Sequence, residues 1–279
     1  MIKLLFGTPG IPSSTVNPNT VNGIARVHEL GLGAMELEFV HSVNIKKEKT
    51  PEVKEIAKKN DVVLTCHGQY YINLNSKEKE KQQASIERIF NAASISDMCG
   101  AYSMTFHPAF YQGMSSEESY QTVKKNLKIA VKKIQDSGHK IWIRPETTGK
   151  NSQFGTITEI LKLSQEIEQV MPCVDFSHLH ARSNGKFNTR NEFQQVLEEI
   201  EKVLGRDGLE NMHIHLSGIA YSEKGEKNHL KLEESDMNYK DLLKVWKEFK
   251  IAGVVICESP NVEEDALLLK NEFYKLEKN

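Results

Sequence analysis

Short β-rich runs alternate with longer amphipathic segments along the whole chain, and few folds are compatible with that order. Runs with the composition of strands are found at 3–7, 34–39, 62–66, 103–106, 140–144, 172–175, 212–216 and 254–257. Strands that alternate with helices are typical of a parallel α/β sheet. Eight such units in 279 residues predict an α/β fold, a (β/α)8 TIM barrel, which typically needs about 250 residues.

The segments between these runs carry the signals that begin and end helices. Ser115 with Glu118, and Thr156 with Glu159, have the spacing of a capping box, in which a hydroxyl caps the first turn and the glutamate reaches back. Apolar residues recur at intervals of three and four between 123 and 134, as in a helix that packs against a sheet. Glycines stand where such helices would end, at Gly31, Gly138 and Gly205.

A doubly wound open sheet is the alternative arrangement of the same units. The chain has no Gly-x-Gly-x-x-Gly after the first strand and no Gly-x-x-x-x-Gly-Lys-Ser/Thr, so a nucleotide-binding fold has no direct support. No linker or low-complexity segment divides the sequence. We therefore expect one barrel domain over residues 1–279.

Composition places further limits on function. The chain has 36 basic and 38 acidic residues and a net charge of −2, which gives no obvious electrostatic footprint for a polyanion. Mean hydropathy is −0.48, and no apolar run reaches the roughly 18 residues of a membrane span. The four cysteines form no Cys-x-x-Cys pair. We therefore expect a reduced, cytoplasmic setting and no membrane partner.

Side chains that bind metals follow the predicted strands. In a barrel of this kind the active site is built at the C-terminal ends of the strands. Six consecutive strands end in histidine, aspartate or glutamate, which are His67, His107, Glu146, Asp175, His178, His215 and Glu258. Such groups buried together without cations would incur large desolvation and repulsion costs. We therefore predict a metal cluster suited to zinc or manganese, with a purely structural cluster as the alternative.

The same segments resemble the motifs of one enzyme family. The matches are HGQYYINL at 67–74 to His-x-x-Tyr-x-Ile-Asn-Leu, 106–108 to Phe-His-Pro, ETTG at 146–149 to Glu-Asn-Thr-Ala-Gly, 175–178 to Asp-x-x-His, HLSG at 215–218 to His-Leu-Asn-Asp, and Glu258 to a terminal glutamate. In order and spacing the pattern resembles the endonuclease IV family, the zinc-dependent abasic-site endonucleases, which share their barrel with xylose isomerases. The resemblance covers most of the chain.

The resemblance implies up to three zinc ions, with manganese as an alternative at one site. Its ligands are His67 and His107 for the first ion, Glu146 as a bridge, Asp175, His215 and Glu258 for the second, and His178 with His229 for the third. It also implies hydrolysis of the phosphodiester 5′ to an abasic site in double-stranded DNA, which leaves a 3′-hydroxyl. Glu146 would orient or deprotonate the attacking water. Tyr70 matches the tyrosine that enters DNA at the lesion, and packing of Tyr70 under its loop is the alternative.

The chain departs from the family pattern at three places. Lys227 occupies the position of an aspartate ligand of the third metal, and Glu226 is the candidate to replace it if the loop shifts. The loop at 40–47 has lysines but lacks the arginine that the family places at the damage site. After the first strand, Gly7-Thr8-Pro9 stands where the family has Gly-x-His. We therefore expect a divergent branch in which the chemistry is kept and lesion recognition is changed.

Two other functions fit part of this pattern. A metal-dependent sugar isomerase or epimerase of the xylose isomerase-like barrels would need only Glu146, Asp175, His215 and Glu258, so the further histidines favour the nuclease. A non-catalytic DNA-lesion or sugar-binding relic would have lost more of the ligands. We expect a monomer. We also expect it to bind abasic-site DNA through its metals, because three divalent ions would change the formal net charge from −2 to about +4.

Overall fold

The computed structural model describes residues 3–276 and contains the predicted barrel. Its strands are β1 (Leu4–Thr8), β2 (Ala34–Glu38), β3 (Val63–His67), β4 (Ser103–Phe106), β5 (Ala109–Phe110), β6 (Trp142–Pro145), β7 (Gln153–Phe154), β8 (Cys173–Asp175), β9 (Met212–Leu216), β10 (Gly218–Ser222), β11 (Gly225–Leu230) and β12 (Gly253–Cys257). Its helices are α1 (Thr20–Glu29), α2 (Thr50–Lys59), α3 (Lys79–Met98), α4 (Ser116–Asp136), α5 (Ile157–Glu166), α6 (Phe176–Arg182), α7 (Arg190–Glu210), α8 (Tyr239–Glu248) and α9 (Glu263–Lys275).

Parallel strands form one sheet that curves round on itself. Within the described residues its eight strands have the order β6-β4-β3-β2-β1-β12-β9-β8. Parallel bridges between Ile143 and Val170, and between Glu146 and Cys173, bring the two edges of this sheet together. The prediction of a (β/α)8 barrel is confirmed, and each predicted strand lies within two residues of an observed one. The open doubly wound alternative is therefore excluded.

The helices begin and end where their sequence signals predict. Both capping boxes are formed, by Ser115 with Glu118 at the start of α4 and by Thr156 with Glu159 at the start of α5. The apolar stripe of α4 is buried against the barrel. Gly205 has a φ of 67° and interrupts α7 where the sequence predicts a helix end. No helix within residues 3–276 has the length and apolarity needed to cross a bilayer.

The lower end of the barrel is closed by a buried arginine. Arg144 on β6 is fully buried, and its guanidinium donates hydrogen bonds to the Pro172 carbonyl oxygen at 2.7 Å and the Asn211 carbonyl oxygen at 2.8 Å. It also lies 5.3 Å from the ring centroid of Tyr102. Side chains two residues apart on a strand share a face, so Glu146 stands above Arg144 at the open end. The interior of this barrel is therefore polar along its axis.

The segment between β9 and β12 differs from its prediction. The sequence places His229 in a loop over the barrel mouth, whereas the structure places it on β11 of an antiparallel hairpin with β10. Ser222 pairs with Gly225 across the turn, and Gly225 has a φ of 93°, which favours glycine. The Glu226 amide then donates a hydrogen bond to the Gly149 carbonyl oxygen at 3.0 Å. This docking fixes the hairpin beside the mouth.

We predict that Gly253→Ala severely destabilises the barrel. Gly253 has a φ of 137°, and a Cβ there would lie 2.0 Å from the Met212 carbonyl oxygen of the neighbouring strand. Gly138→Ala is the matched control, because Gly138 has a φ of 79° but no atom within 4 Å of an added Cβ. The control should lose about 1 kcal/mol in urea unfolding. Equal losses in the two variants would contradict the predicted collision.

Candidate metal centre

The side chains that the sequence places at strand ends converge at the mouth of the barrel. Those that lie on strands are His67 on β3, Asp175 on β8 and His215 on β9. Those that directly follow a strand are His107 after β4, Glu146 after β6 and Glu258 after β12. The Asp175 side chain accepts a hydrogen bond from the His178 amide at 2.7 Å and so caps α6. This cap turns His178 toward the same mouth.

These side chains form three adjoining ligand groups. Within each group, one ligand atom of every member lies within 4.8 Å of the others. The first group is His67, His107 and Glu146; the second is Glu146, Asp175, His215 and Glu258; the third is His178, Glu226 and His229. The structure thus brings together every ligand that the sequence predicts, and it adds the alternative ligand Glu226.

Glu146 is common to the first and second groups. Its Oε2 lies 3.4 Å from His67 Nε2 and 3.5 Å from His107 Nε2. Its Oε1 lies 3.2 Å from His215 Nδ1 and 3.3 Å from His178 Nδ1. The two oxygens of one buried carboxylate therefore face different sets of imidazoles, which is the arrangement of a bridging ligand.

The third group combines α6 with the hairpin. Glu226 Oε2 lies 3.5 Å from His178 Nε2, and the rings of His178 and His229 are 5.9 Å apart. Lys227, the next residue on β11, is exposed. The substitution that places lysine at the expected aspartate position is thus matched by a carboxylate one residue earlier, on the opposite side of the strand.

Backbone carbonyl groups orient three of the histidines. The Nδ1 atoms lie 2.7 Å from the Gly68 oxygen for His67, 3.0 Å from the Thr147 oxygen for His178, and 3.1 Å from the Glu258 oxygen for His229. A carbonyl oxygen accepts a hydrogen bond from a protonated Nδ1, and the ring then has its lone pair on Nε2. Each of these Nε2 atoms is then available as a metal ligand.

Burial and neighbouring charges shift the pKa values of the groups at the mouth. Burial opposes ionisation of Glu146, but His215 and His107 hold its pKa well below its usual range. Burial would lower the pKa of His67, yet its contact with Glu146 and the charge of Glu38 raise that pKa to about 10. Burial and the neighbouring Glu36 raise the pKa of Glu38 to about 8.

The residues at the mouth fit divalent cations. Among residues 3–276, Glu146 Oε2, Asp175 Oδ2 and His178 Nε2 are buried and have no hydrogen-bond partner. Buried polar atoms are nearly always hydrogen-bonded, so three orphaned ligand atoms in one site need an explanation. Imidazole nitrogens and carboxylate oxygens are the donors that zinc and manganese prefer. The orphaned atoms and the donor chemistry agree with the metal cluster predicted from the sequence.

An exposed tyrosine lies at the edge of the mouth. Tyr70 is 56% exposed, and its ring centroid is 5.8 Å from that of His67 and 5.9 Å from that of His41. Its amide donates a hydrogen bond to the Val40 carbonyl oxygen, which ties the loops after β2 and β3 together. Tyr71 is 59% exposed, so neither tyrosine is packed under the loop, and contact of Tyr70 with DNA stays a prediction.

Four residues that line the barrel interior are not among the site residues predicted from the sequence. Glu36, Cys173 and His213 are buried below the mouth, and Cys173 and His213 form a further close group with His215, whereas Glu38 is partly buried at the mouth, level with His67. Burial opposes ionisation of Glu36, but His215 and His213 hold its pKa below its usual range. A signal was present, since two glutamates alternate with apolar residues in the predicted buried strand at 34–39. Only an interior polar site can accommodate charges at alternate positions there.

Comparison with known sequences identifies the family of this barrel. A family model described as xylose isomerase-like TIM barrel matches residues 24–276. The chain is 44% identical over 275 residues to the uncharacterized protein MJ0133 of Methanocaldococcus jannaschii, across 99% of this chain and 98% of that one. It is 27% identical over 165 residues to a probable endonuclease 4 of Thermosipho melanesiensis, across 54% of this chain and 56% of that one. The second alignment spans about half of each protein.

Solved structures with the same fold include more than one type of enzyme. Endonuclease IV from Thermus thermophilus superposes with a TM-score of 0.74 and 17% identity, over 98% of this chain and 100% of that one. A D-tagatose 3-epimerase-like protein superposes with a TM-score of 0.73 and 18% identity, over 96% of this chain and 97% of that one. Likeness at this level of identity shows the fold alone.

We predict that the chelated protein loses stability as the pH rises from about 6.5 to about 10. In the folded state His67 and Glu38 keep protons up to pKa values of about 10 and about 8, whereas unfolded histidine and glutamate release them near 6.5 and 4.3. The folded state binds more protons across this window, so the free energy of unfolding must fall.

Urea unfolding in a chelator at several pH values measures this slope. The zinc-loaded protein is the control and should show a smaller decrease, because bound zinc requires deprotonated ligands. A stability of the chelated protein that is constant or rises over the same pH range would contradict the prediction.

Proposed function

The chain belongs to the xylose isomerase-like TIM barrel family, and from the site built on that barrel we propose that it is a metal-dependent endonuclease that cleaves DNA at abasic sites. The proposed reaction is hydrolysis of the phosphodiester 5′ to the lesion, which leaves a 3′-hydroxyl. The observation that carries this proposal is the presence of three adjoining ligand groups, of which two share Glu146. Hydrolysis of a phosphodiester uses several cations at once, because charge develops on both the attacking and the leaving oxygen.

The ligand groups assign residues to up to three divalent ions, with zinc as the first choice and manganese as an alternative at one site. His67 and His107, together with Glu146, would hold the first ion. Glu226 would be the carboxylate ligand of the third ion. When bound, such ions lower the pKa of water and neutralise charge on phosphoryl oxygens. The remaining ligands are Asp175, His215 and Glu258 for the second ion, and His178 and His229 for the third.

Glu146 is the proposed catalytic residue. Its Oε2 faces His67 and His107, and the His107 side chain is 26% exposed, whereas that of His67 is 6% exposed. Water and substrate therefore reach this carboxylate from the side of His107. A carboxylate directed to this opening can orient the attacking water or take its proton.

Tyr70 is the proposed contact with the DNA lesion. An aromatic ring that stacks on a base contributes about 1–3 kcal/mol, which can offset the unstacking of an extruded nucleotide. The ring is exposed beside His67, so a nucleotide held against it would place its phosphate near the first ligand group. Lys46 and Lys47 are exposed on the neighbouring loop and are available to contact phosphates.

A sugar isomerase or epimerase is the second candidate, because the second ligand group alone provides a site for one metal. The likeness to a D-tagatose 3-epimerase-like structure is compatible with this function. The first and third groups favour the nuclease, since a single-metal enzyme has no need for five further ligands directed to the same mouth. The sequence similarity to a probable endonuclease 4 favours it as well.

We predict that the zinc-loaded protein incises an abasic-site duplex and that Glu146→Gln reduces the rate by about 100- to 10,000-fold, the usual range for loss of a general base. Metal analysis of the same samples should show that Glu146→Gln retains most of its zinc. Glu55→Gln is the control, because Glu55 is an exposed glutamate on α2. One metal per chain with ketose epimerisation and no incision would contradict the nuclease, and normal cleavage by Glu146→Gln would contradict its role.

We also predict that Glu226→Ala removes one equivalent of bound metal and slows incision. Glu226 supplies the carboxylate of the third group, whereas the adjacent Lys227 is exposed. Lys227→Ala is therefore a matched control on the same strand and should retain the metal content of the original protein. Equal metal content in the two variants would show that Glu226 is not a ligand.

A further inference from the structure

Glu36 is a carboxylate enclosed in the barrel directly below the second ligand group. It lies on β2, is fully buried, and faces the barrel axis. Its Oε2 accepts a hydrogen bond from Thr65 Oγ1 at 2.7 Å and lies 3.1 Å from His213 Nε2. Its Oε1 lies 3.0 Å from His215 Nε2. One carboxylate thus spans two imidazoles, and one of these, His215, belongs to the second ligand group.

His215 is oriented differently from the other ligand histidines. Its Nδ1 faces the mouth, 3.2 Å from Glu146 Oε1 and 3.4 Å from Glu258 Oε1, and its Nε2 faces the interior. For His67, by contrast, a backbone carbonyl oxygen contacts Nδ1 and leaves Nε2 facing the mouth. His215 is buried inside the barrel, and Glu36 is the carboxylate that faces its inner nitrogen, while Cys173 and His213 also lie close to the ring.

This geometry selects one tautomer of His215. A metal ligand needs a lone pair, so binding through Nδ1 requires that the ring proton be on Nε2. That N–H would point into a buried space, where it costs free energy unless an acceptor is present. Glu36 Oε1 lies 3.0 Å from this nitrogen and has no other hydrogen-bond partner among residues 3–276, so it can serve as the acceptor. Its negative charge would also make the ring a stronger electron donor to a metal.

We propose that Glu36 is a positioning residue of the metal centre, which holds His215 with its proton on Nε2 and its lone pair directed from Nδ1 toward Glu146 and Glu258. Glu36 itself contacts neither metal nor substrate. The inference rests on the metal centre of the proposed function and not on the reaction that the centre performs. It assigns a role to a residue outside the three ligand groups.

The surroundings of Glu36 hold its carboxylate in place for this role. Thr65 is its neighbour across the β2–β3 pairing and donates a hydrogen bond to it. His213 lies on its other side, and His213 Nδ1 is 2.9 Å from Ser103 Oγ, which fixes that ring as well. With Oε2 occupied by these partners, Oε1 is left to face His215. A carboxylate fixed at one oxygen presents the other in a defined direction.

Zinc affinity tests the proposal independently of cleavage. Glu36→Gln keeps the size of the side chain and removes its charge, and competition with a chromophoric chelator should show about 10- to 100-fold weaker binding of one zinc equivalent, the usual effect of losing such a partner. Glu55→Gln is the control, because Glu55 is an exposed glutamate on α2, outside the ligand groups. In histidine ¹⁵N-resolved proton spectra of the zinc-loaded proteins, the Nε2–H resonance of His215 should move upfield in Glu36→Gln, because an amide oxygen is a weaker acceptor than a carboxylate, and should stay in place in Glu55→Gln.

A second variant covers the case in which Glu36→Gln does not fold. Thr65→Val removes the hydroxyl that fixes Glu36 and should weaken the same zinc equivalent by roughly threefold to tenfold, the value of one hydrogen bond. Unchanged zinc affinity in both variants, or an equal shift of the His215 Nε2–H resonance in Glu55→Gln, would overturn the role of Glu36 and leave the proposed function standing. A protein that binds zinc in this way but does not incise DNA would overturn the proposed function and leave the role of Glu36 intact.

Discussion

The convergence of parallel strands on one mouth is the constraint on which the rest of this structure depends. Every barrel strand delivers its C-terminal residues to the same small volume. In this chain those residues are carboxylates and imidazoles, and they lie within hydrogen-bonding distance of one another. Such a group cannot be buried with all its carboxylates charged and unpaired. A proton on His67 can balance part of this negative charge, as its raised pKa indicates. The geometry of the ligand groups also suits cations, which would take the place of such protons.

Charge is arranged along the barrel axis to support that mouth. Arg144 provides a fixed cation at the lower end, and its guanidinium donates hydrogen bonds to backbone carbonyl oxygens. Burial lowers the pKa of His213 to about 4, so this ring is neutral above Arg144 and separates it from Glu36. Glu36 then meets His215, which meets the carboxylates of the mouth. Polar contacts therefore run from His213 through Glu36 and His215 to the ligand groups at the mouth.

The sequence predicts those parts of the molecule that depend on local pattern. All eight barrel strands could be predicted because buried parallel strands are short apolar runs bounded by helix signals, and the ligands at 67, 107 and 146 follow from their position at strand ends. The hairpin of β10 and β11 was not predicted, because its docking depends on contacts with Gly149 that are distant in sequence. Glu36 was missed for a related reason. Its partners Thr65, His213 and His215 lie on other strands, and only closure of the barrel brings them together.

The hairpin supplies the part of the candidate site that the barrel strands do not. The first and second groups are supplied by the barrel strands and the residues that directly follow them, whereas Glu226 and His229 are supplied by β11. The hairpin is held by Tyr221, whose hydroxyl donates a hydrogen bond to Asp236 at 2.6 Å, while the other Asp236 oxygen lies 3.0 Å from His180 on α6. Because α6 also carries His178, the same short helix positions both halves of the third group. Pairing within the hairpin shifts at this point, because Tyr221 pairs with Glu226 and Ala220 with Asn228, which leaves Lys227 without a partner across the hairpin. This irregularity lets Glu226 and His229 lie together beside His178 while Lys227 is exposed.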